Sequence, residues 1–526
     1  MKKNSKILSI AAILSLTFLT GANAQGAYDA YRFSQQFNEG TARSVSMGNA
    51  FVALGGDLGA ISINPASSGV YRYSEFVVTP SLTIANSSVN YLNNNISDSK
   101  TRFGVSNFGY VGSFMTGREN RGLINWNIAL TFNKNNNFTS RMSASGRTAG
   151  SSWLASLAQS TNALRVHGKD LDITPDYDPF GNFPWNSILG WNTSLLDTLP
   201  DSPKDYRGAT ENLKNGEIGI GGELDQNYTR ESTGNVSEAI INFGGNISNK
   251  LFFGFNVGIQ SIWYKYTDTY SETAADYRVF DTGFEHFTHR YSNQTSGTGV
   301  NLKFGLIYLP VKGLRLGASI STPTWMFLHD KYDESISSKL YDFDDASEYT
   351  ASLLSPLGAY DYRINTPFRW NVGAAYTFGK IGVISIDYEN VNYSQMKLND
   401  ANDPNQFRYD NSYIKDRFTS SNIVRAGAEI MIRPEIALRA GYQYYSGGEK
   451  GYEKTETRQF GSLGLGYVSK SGFFADVTYQ QQLKKIEEKF ALYDDVYDGN
   501  DIVYAAPEGT NKWNSYKILV SVGFRF

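Results

Sequence analysis

The chain has 526 residues, no cysteine, 41% hydrophobic and 14% aromatic residues, and a formal net charge of −3. Without cysteine there are no disulfides, thiolate metal sites or cysteine nucleophiles. The near-neutral balance gives no electrostatic basis for a nucleic-acid partner, since such binding rests on concentrated Lys and Arg.

The first residues, MKKNSKILSIAAILSLTFLTGANAQG, read as a secretory signal peptide over 1–24. Lys2, Lys3 and Lys6 form the basic region, Ile7 to Leu19 the apolar region, and Ala22-Asn23-Ala24 the cleavage site, so the mature chain is expected to begin at Gln25. The alternative is an uncleaved anchor helix. No later stretch of about 18 apolar residues recurs, which excludes further membrane-spanning helices.

Residues 25–70 are rich in small side chains (Gly40, Ala42, Gly48, Ala50, Ala53, Gly55, Gly56, Gly59 and Ala60), a composition that permits close backbone packing in a confined space. Asn64-Pro65 marks a turn where any helix must stop.

From residue 71 onward, period-two alternation dominates. In LINWNIALTF, Ile124, Trp126, Ile128, Leu130 and Phe132 share a face opposite Asn125, Asn127 and Thr131. FRWNVGAAYTF sets Phe368, Trp370, Val372, Tyr376 and Phe378 against Arg369, Asn371 and Thr377. PEIALRAGYQY and GFFADVTYQ repeat the pattern, and the last residues, SYKILVSVGFRF, place Tyr516, Ile518, Val520, Val522, Phe524 and Phe526 on one face. About fourteen such segments follow one another, beginning near residues 72, 102, 122, 235, 251, 297, 313, 365, 381, 420, 435, 457, 472 and 515; an even number is the rule for bacterial membrane barrels.

Their connections alternate in length. GREN, SNK, PVKG, GK, RPE and KS are tight turns, while roughly 92–101, 137–234, 266–296, 331–360, 397–419, 446–456 and 484–514 are long and polar. Short periplasmic turns, long external loops and an apolar phase free of charge predict an all-β transmembrane antiparallel barrel over 71–526. One Arg or Lys on the lipid face would cost roughly 2–4 kcal/mol at the midplane. Closure removes sheet edges that lipid cannot hydrogen-bond, so the strand ending at Phe526 is expected to pair with the first. A soluble propeller would need a blade-length repeat, which is absent. A barrel of this width is not filled by its own side chains, and residues 25–70 are the candidate plug.

The longest external loop, 137–234, carries unusual apolar density. SSWLASLAQSTN places Trp153, Leu154 and Leu157 on one helical face, and PFGNFPWNSILGWNTSLLDTL carries Phe183, Trp185, Ile188, Leu189 and Trp191. These eight residues are the expected ligand-capture surface, with mutual packing as a lid the compatible alternative.

Two features of this chain carry a family resemblance. The hatch spacing G-x-A-R-x-x-x-M-G-x-A-x-x-A followed by Asp57-x-x-Ala60-x-x-x-Asn64-Pro65-Ala66 resembles the N-terminal hatch of the FadL/TodX family of outer-membrane transporters for long-chain fatty acids and aromatic hydrocarbons. Residues 365–394 and 423–444 resemble that family's C-terminal hairpins. The resemblance implies passive uptake: capture in the external loops, rearrangement of the hatch, and lateral exit through the wall where a strand kinks inward. It implies a gate at Asn64 and Pro65, with Asp57 as a lumenal anchor. The aromatic last residue resembles the signal read by the barrel assembly machinery. Expected partners are a fatty acid or aromatic hydrocarbon, outer-membrane lipid and lipopolysaccharide. No cofactor, catalytic residue or resident metal is expected, and the protein is not expected to be an enzyme.

Other motifs carry less. His286-Phe-Thr-His289 would share one helical turn and could bind metal only with a third ligand. YDDVYDGND (493–501) has calcium-like carboxylate density but reads as a solvated loop. Lumenal charges at Asp387, Glu389, Arg425, Glu429 and Arg439 read as a paired network holding the hatch rather than a catalytic set. The competing function is a non-transporting barrel scaffold for a secretion or lipoprotein-sorting complex; a polar porin and a haem receptor are weaker readings.

Overall fold

The computed structural model describes residues 26–526; the signal-peptide reading lies outside them. Fourteen antiparallel wall strands close into a barrel. In chain order they are β1 (Glu75–Tyr91), β2 (Asn94–Met115), β3 (Leu123–Asn137, resuming as Ser140–Thr148), β4 (Leu224–Ile247), β5 (Leu251–Ala274) and β6 (Phe284–Tyr308). Next come β7 (Leu314–Ser321, resuming as Trp325–Asp342), β8 (Gly358–Asn365, resuming as Arg369–Thr377), β9 (Gly382–Asn392) and β10 (Ser420–Arg433). β11 (Ile436–Tyr445), β12 (Arg458–Val468), β13 (Phe473–Gln482) and β14 (Glu508–Arg525) complete the ring. Closure is a ladder between β14 and β1, from Glu75 opposite Arg525 to Tyr91 opposite Gly509.

The alternation has the expected sense. Trp370, Val372, Tyr376 and Phe378 are exposed on the outer face while Arg369 and Asn371 are buried inside. Ile518, Val522 and Phe524 face out and Leu519 and Ser521 face in. Exposed apolar side chains on neighbouring strands form a continuous outer band, the surface a barrel presents to lipid. Ile124 is an exception: it is buried, because the β3–β4 register slips between Leu123 and Asn125 and a one-residue slip reverses facing.

Several of the long connections are shorter than expected because the strands run on beyond the band. The expected loop at 92–101 is a two-residue turn, Leu92-Asn93, with both residues at positive φ, the geometry of a tight hairpin. β5 and β6 extend to Ala274 and back from Phe284, and β7 reaches Asp342. His286 and His289 therefore lie on an extended strand, not a helical turn, and a spacing of three sends them to opposite faces. His289 meets Glu334 at 2.5 Å, and no group of three His, Asp or Glu suited to a metal occurs among the described residues.

The N-terminal segment packs inside the barrel. It contains helices α1 (Ala27–Ser34) and α2 (Ala42–Ser46) and two 3₁₀ turns, Gly59–Ser62 and Pro65–Val70. Glycines on the inner faces of separate strands lie against its backbone: Gly254 at Pro65, Gly317 at Val52, Gly427 at Met47 and Gly441 at Gly48. Side chains there would occupy the space the segment fills.

Candidate functional site

The interior is layered. At the end with the short turns, wall side chains hold the carbonyls of the N-terminal segment. Asn125 donates to Tyr71 O at 2.8 Å, Asn242 to Pro65 O at 3.0 Å and Asn256 to Ile61 O at 2.7 Å. Lys303 donates to Ser62 O at 3.1 Å, Ser319 to Ile63 O at 2.9 Å and Arg315 to Leu54 O at 2.6 Å. The segment has little regular structure to pair its own backbone, so the wall supplies the partners that buried carbonyls require.

The lumenal charges form paired networks. Glu389 accepts from Arg369 at 2.7 Å and Arg425 at 2.5 Å. Glu429 takes Arg43 at 3.2 Å and Arg439 at 2.6 Å, and Arg439 reaches Asp476 at 2.5 Å. The Asp387 carboxylate accepts from Val52 N at 2.8 Å.

Asn64 caps the 3₁₀ turn through Ala66 N at 3.0 Å and donates to Val52 O at 2.6 Å and to Leu306 O of β6 at 3.2 Å. Pro65 occupies the first position of that turn. Asp57 is fully enclosed by its own segment: its carboxylate meets Thr41 Oγ1 at 2.8 Å and Gly59 N at 2.9 Å. Burial pushes its carboxyl above the ordinary range despite Arg43 nearby.

One residue that sequence reasoning passed over joins the segment to a break in the wall. The β2–β3 ladder ends at Asn107 opposite Asn133. Beyond it β2 pairs with β1 alone, and β3 bends inward through a bulge at Lys134/Asn136. The N-terminal segment meets this bend edge to edge, with Phe37 N to Asn135 O at 2.7 Å and Glu39 N to Lys134 O at 2.8 Å. The Glu39 carboxylate contacts Lys134 at 3.2 Å, Lys517 of β14 at 2.5 Å and Ser106 of β2 at 3.0 Å. Burial opposes its ionisation, but the two ammonium groups outweigh burial and hold it down to about 2. The sequence signal was the run NKNNN (133–137), where alternation fails.

Above this level the lining becomes apolar. Around Phe33 of α1 lie Ile262, Tyr264, Met326, Leu328, Tyr362, Ile364, Leu398, Phe407 and Phe418. At the edge of that layer, guanidinium groups lie over aromatic rings: Arg230 over Tyr266, and Arg458 between Phe37 at 4.4 Å and Trp513 at 4.8 Å. Such a lining offers an apolar or aromatic body dispersion contacts, and a polar head a partner.

The mouth is covered. Helix α3 (Trp153–Asn162) and helix α4 (Trp185–Asn192) pack with the strand tops. Leu154, Leu157, Ile188 and Leu189 are buried there with Trp153, while Phe183, Trp185 and Trp191 are half-buried on the same cluster. Trp153 lies against Phe287 and His289, and Trp185 against Tyr332. Glu272 anchors α3, accepting from Ser152 at 2.6 Å and Trp153 N at 2.9 Å. The eight expected capture residues are thus brought together in one cluster, five of them buried against one another and the wall and three half-exposed at its rim.

A closed fourteen-strand barrel with an internal N-terminal segment and a loop lid defines a class of barrel with a plugged lumen. Within that class the fold is of the FadL/TodX type. A mutant of the TodX monoaromatic hydrocarbon channel matches with TM-score 0.50 at 12% identity, over 93% of this chain and 99% of that chain. The P. putida toluene transporter TodX matches at 0.49, with 14% identity over 93% and 99%. A Pseudomonas aeruginosa FadL homologue matches at 0.49, with 12% identity over 93% and 98%. At these identities the likeness is one of fold. No protein-family model and no curated protein matches the chain.

Proposed function

We propose that the protein is a passive outer-membrane transporter for long-chain fatty acids or other hydrophobic small molecules. The observation that carries this reading is the apolar, aromatic layer around α1. It surrounds the first helix of the hatch, above the hatch's polar-bonded turns and beside the inward bend of β3. Ligand is captured at the lid residues Trp153, Leu154, Leu157, Phe183, Trp185, Ile188, Leu189 and Trp191. It passes to the layer around α1, the hatch rearranges about Asn64 and Pro65 with Asp57 as its internal anchor, and release is lateral. No energy source is required, because an apolar solute moves down its own gradient from a poor solvent to a better one. Outer-membrane lipid, lipopolysaccharide and the barrel assembly machinery are the accompanying partners.

Native mass spectrometry with lipid extraction, on protein purified from its own membrane, tests the proposal. A stoichiometric acyl or aromatic ligand, displaceable by a fluorescent fatty acid, is expected. The second reading, a barrel scaffold for a secretion or lipoprotein-sorting complex, is favoured by how fully the lid and hatch fill the lumen. It predicts a ligand-free barrel that copurifies with other polypeptides.

A further inference from the structure

The wall has a second discontinuity, between β8 and β10. β9 has 11 residues and ends at Asn392, opposite Ser420 of β10. A tilted strand needs about 9–11 residues to cross the hydrocarbon, so β9 stops at the outer interface. Above it, the outer piece of β8 has β7 on one side. On the other it has only the three-residue strand Lys397–Asn399, paired with Arg363–Asn365. The space is filled by residues 394–418, including helix α5 (Arg408–Arg417).

This insert is built as a flap. Its ends meet where Tyr393 N donates to Thr419 O at 3.1 Å. Its C-terminal end is tied to the neighbouring 446–456 connection, where Lys450 N donates to Arg417 O at 2.9 Å, Phe418 bridges Glu449 and Arg417 pairs with the Glu449 carboxylate. Its inner face, with Met396, Leu398, Phe407, Ile414 and Phe418, is buried in the layer around α1. Its outer face is polar apart from Tyr409, which is 87% exposed, and the partly exposed Tyr413. Flap and hatch touch: Tyr413 lies 3.3 Å from Tyr28 of α1, and the ring of Phe418 packs on Tyr28 and Tyr31. The adjoining wall is also short of ladder bonds. Register places Ser321 opposite Arg369 and Trp325 opposite Asn365, which sets Pro323 against Pro367, two residues with no N–H to donate.

We propose that residues 394–418 form a side gate, hinged at Tyr393 and Thr419. Through it, an apolar or amphipathic molecule already dissolved in the outer leaflet reaches the layer around α1 without passing the lid. The inference rests on the transporter reading. It follows from placement: between β8 and β10 the flap separates the apolar layer from the outer interface, and the ladder that joins it to β8 is three residues long.

The cysteine-free chain allows a direct test. One variant, Asn365→Cys with Lys397→Cys, staples the flap to β8 across paired residues. Another, Thr193→Cys with Ser338→Cys, staples the lid to β7, where Ser338 Oγ donates to Thr193 O at 2.6 Å. Full-length protein in liposomes is mixed with N-phenyl-1-naphthylamine already partitioned into the bilayer, and tryptophan quenching is followed with and without reductant. The oxidised flap staple is expected to slow binding about tenfold, as gating segments do, with recovery on reduction, while the lid staple leaves the rate unchanged. An unchanged rate with the flap stapled, or equal slowing by the lid staple, overturns the gate. Wild-type protein that never binds the probe overturns the transporter reading itself, and the gate with it.

Discussion

Glu39 joins four elements, because its carboxylate meets Lys134 of β3, Lys517 of β14 and Ser106 of β2 while its backbone pairs with the β3 bend. Removing one partner of a buried ion pair costs about 3–5 kcal/mol, because the remaining charge is left uncompensated. Glu39→Gln is therefore expected to loosen the hatch locally. Amide exchange at residues 37–42 should accelerate while the barrel strands stay protected. Unchanged exchange there would show that the backbone rungs alone hold the contact. Glu211 is the corresponding residue in the lid. It is buried, accepts from Gly208 N at 2.6 Å, and burial pushes its carboxyl from 4.5 up to about 7, with Arg207 opposing. The folded lid thus keeps a proton that the unfolded chain releases. Stability from this group is full below about 4.5, falls as pH rises, and is lost above about 7; the span corresponds to on the order of 3 kcal/mol. Protection of residues 153–192, corrected for intrinsic exchange, should be greater at acid pH than at mildly alkaline pH. Glu211→Gln should flatten that dependence.

At the scale of elements, the hatch turn is the clearest case for local design. Pro65 opens the 3₁₀ turn, Asn64 caps it, and Asn242 and Leu306 tie it to two strands. Pro65→Ala keeps every one of these bonds and releases only the fixed φ, a change of roughly 0.4–1 kcal/mol acting mainly through the flexible state. The barrel should remain heat-modifiable on gels while uptake of a fluorescent fatty acid changes. Unaltered uptake in the folded variant would remove Pro65 from the gate. The wall strands were legible from residue alternation, and the misses have a direction. β2, β4, β6, β8 and β14 begin well before their expected starts, at Asn94, Leu224, Phe284, Gly358 and Glu508. These even-numbered strands descend from the outside, and their outer portions stand above the lipid band with water on one side and lid or lumen on the other. No apolar outer face is required there, so the alternation that marks a lipid-facing strand fades. The hatch and the lid helices were recognisable as segments. Their contacts were not, because pairing such as Glu39 with Lys517 depends on closure of the whole ring.

For the whole molecule, the question is what the hatch excludes. A fourteen-strand wall leaves a lumen wider than its own side chains fill. Here the inner face at the hatch level carries Asn127, Asn242, Asn256, Lys303 and Arg315, which spend donors on hatch carbonyls. The networks Arg369–Glu389–Arg425 and Arg439–Asp476 lie within the wall itself. Deleting residues 26–70 would therefore leave every strand-to-strand ladder of the wall in place, losing only the rungs at Lys134 and Asn135. It would also leave a lower lumen that is polar, where water can replace the lost carbonyls. Such a protein should fold, resist protease in its strands, and conduct ions in planar bilayers where the intact chain is nearly silent. A silent deletion variant would mean that the lid or the flap seals the barrel unaided, and that hatch movement is not the limiting barrier. A variant that fails to assemble would make the hatch part of the folding core. The inward glycines at 254, 317, 427 and 441 argue for conduction: they accommodate a segment added inside a finished wall, and the β14–β1 ladder that finishes it contains no hatch residue.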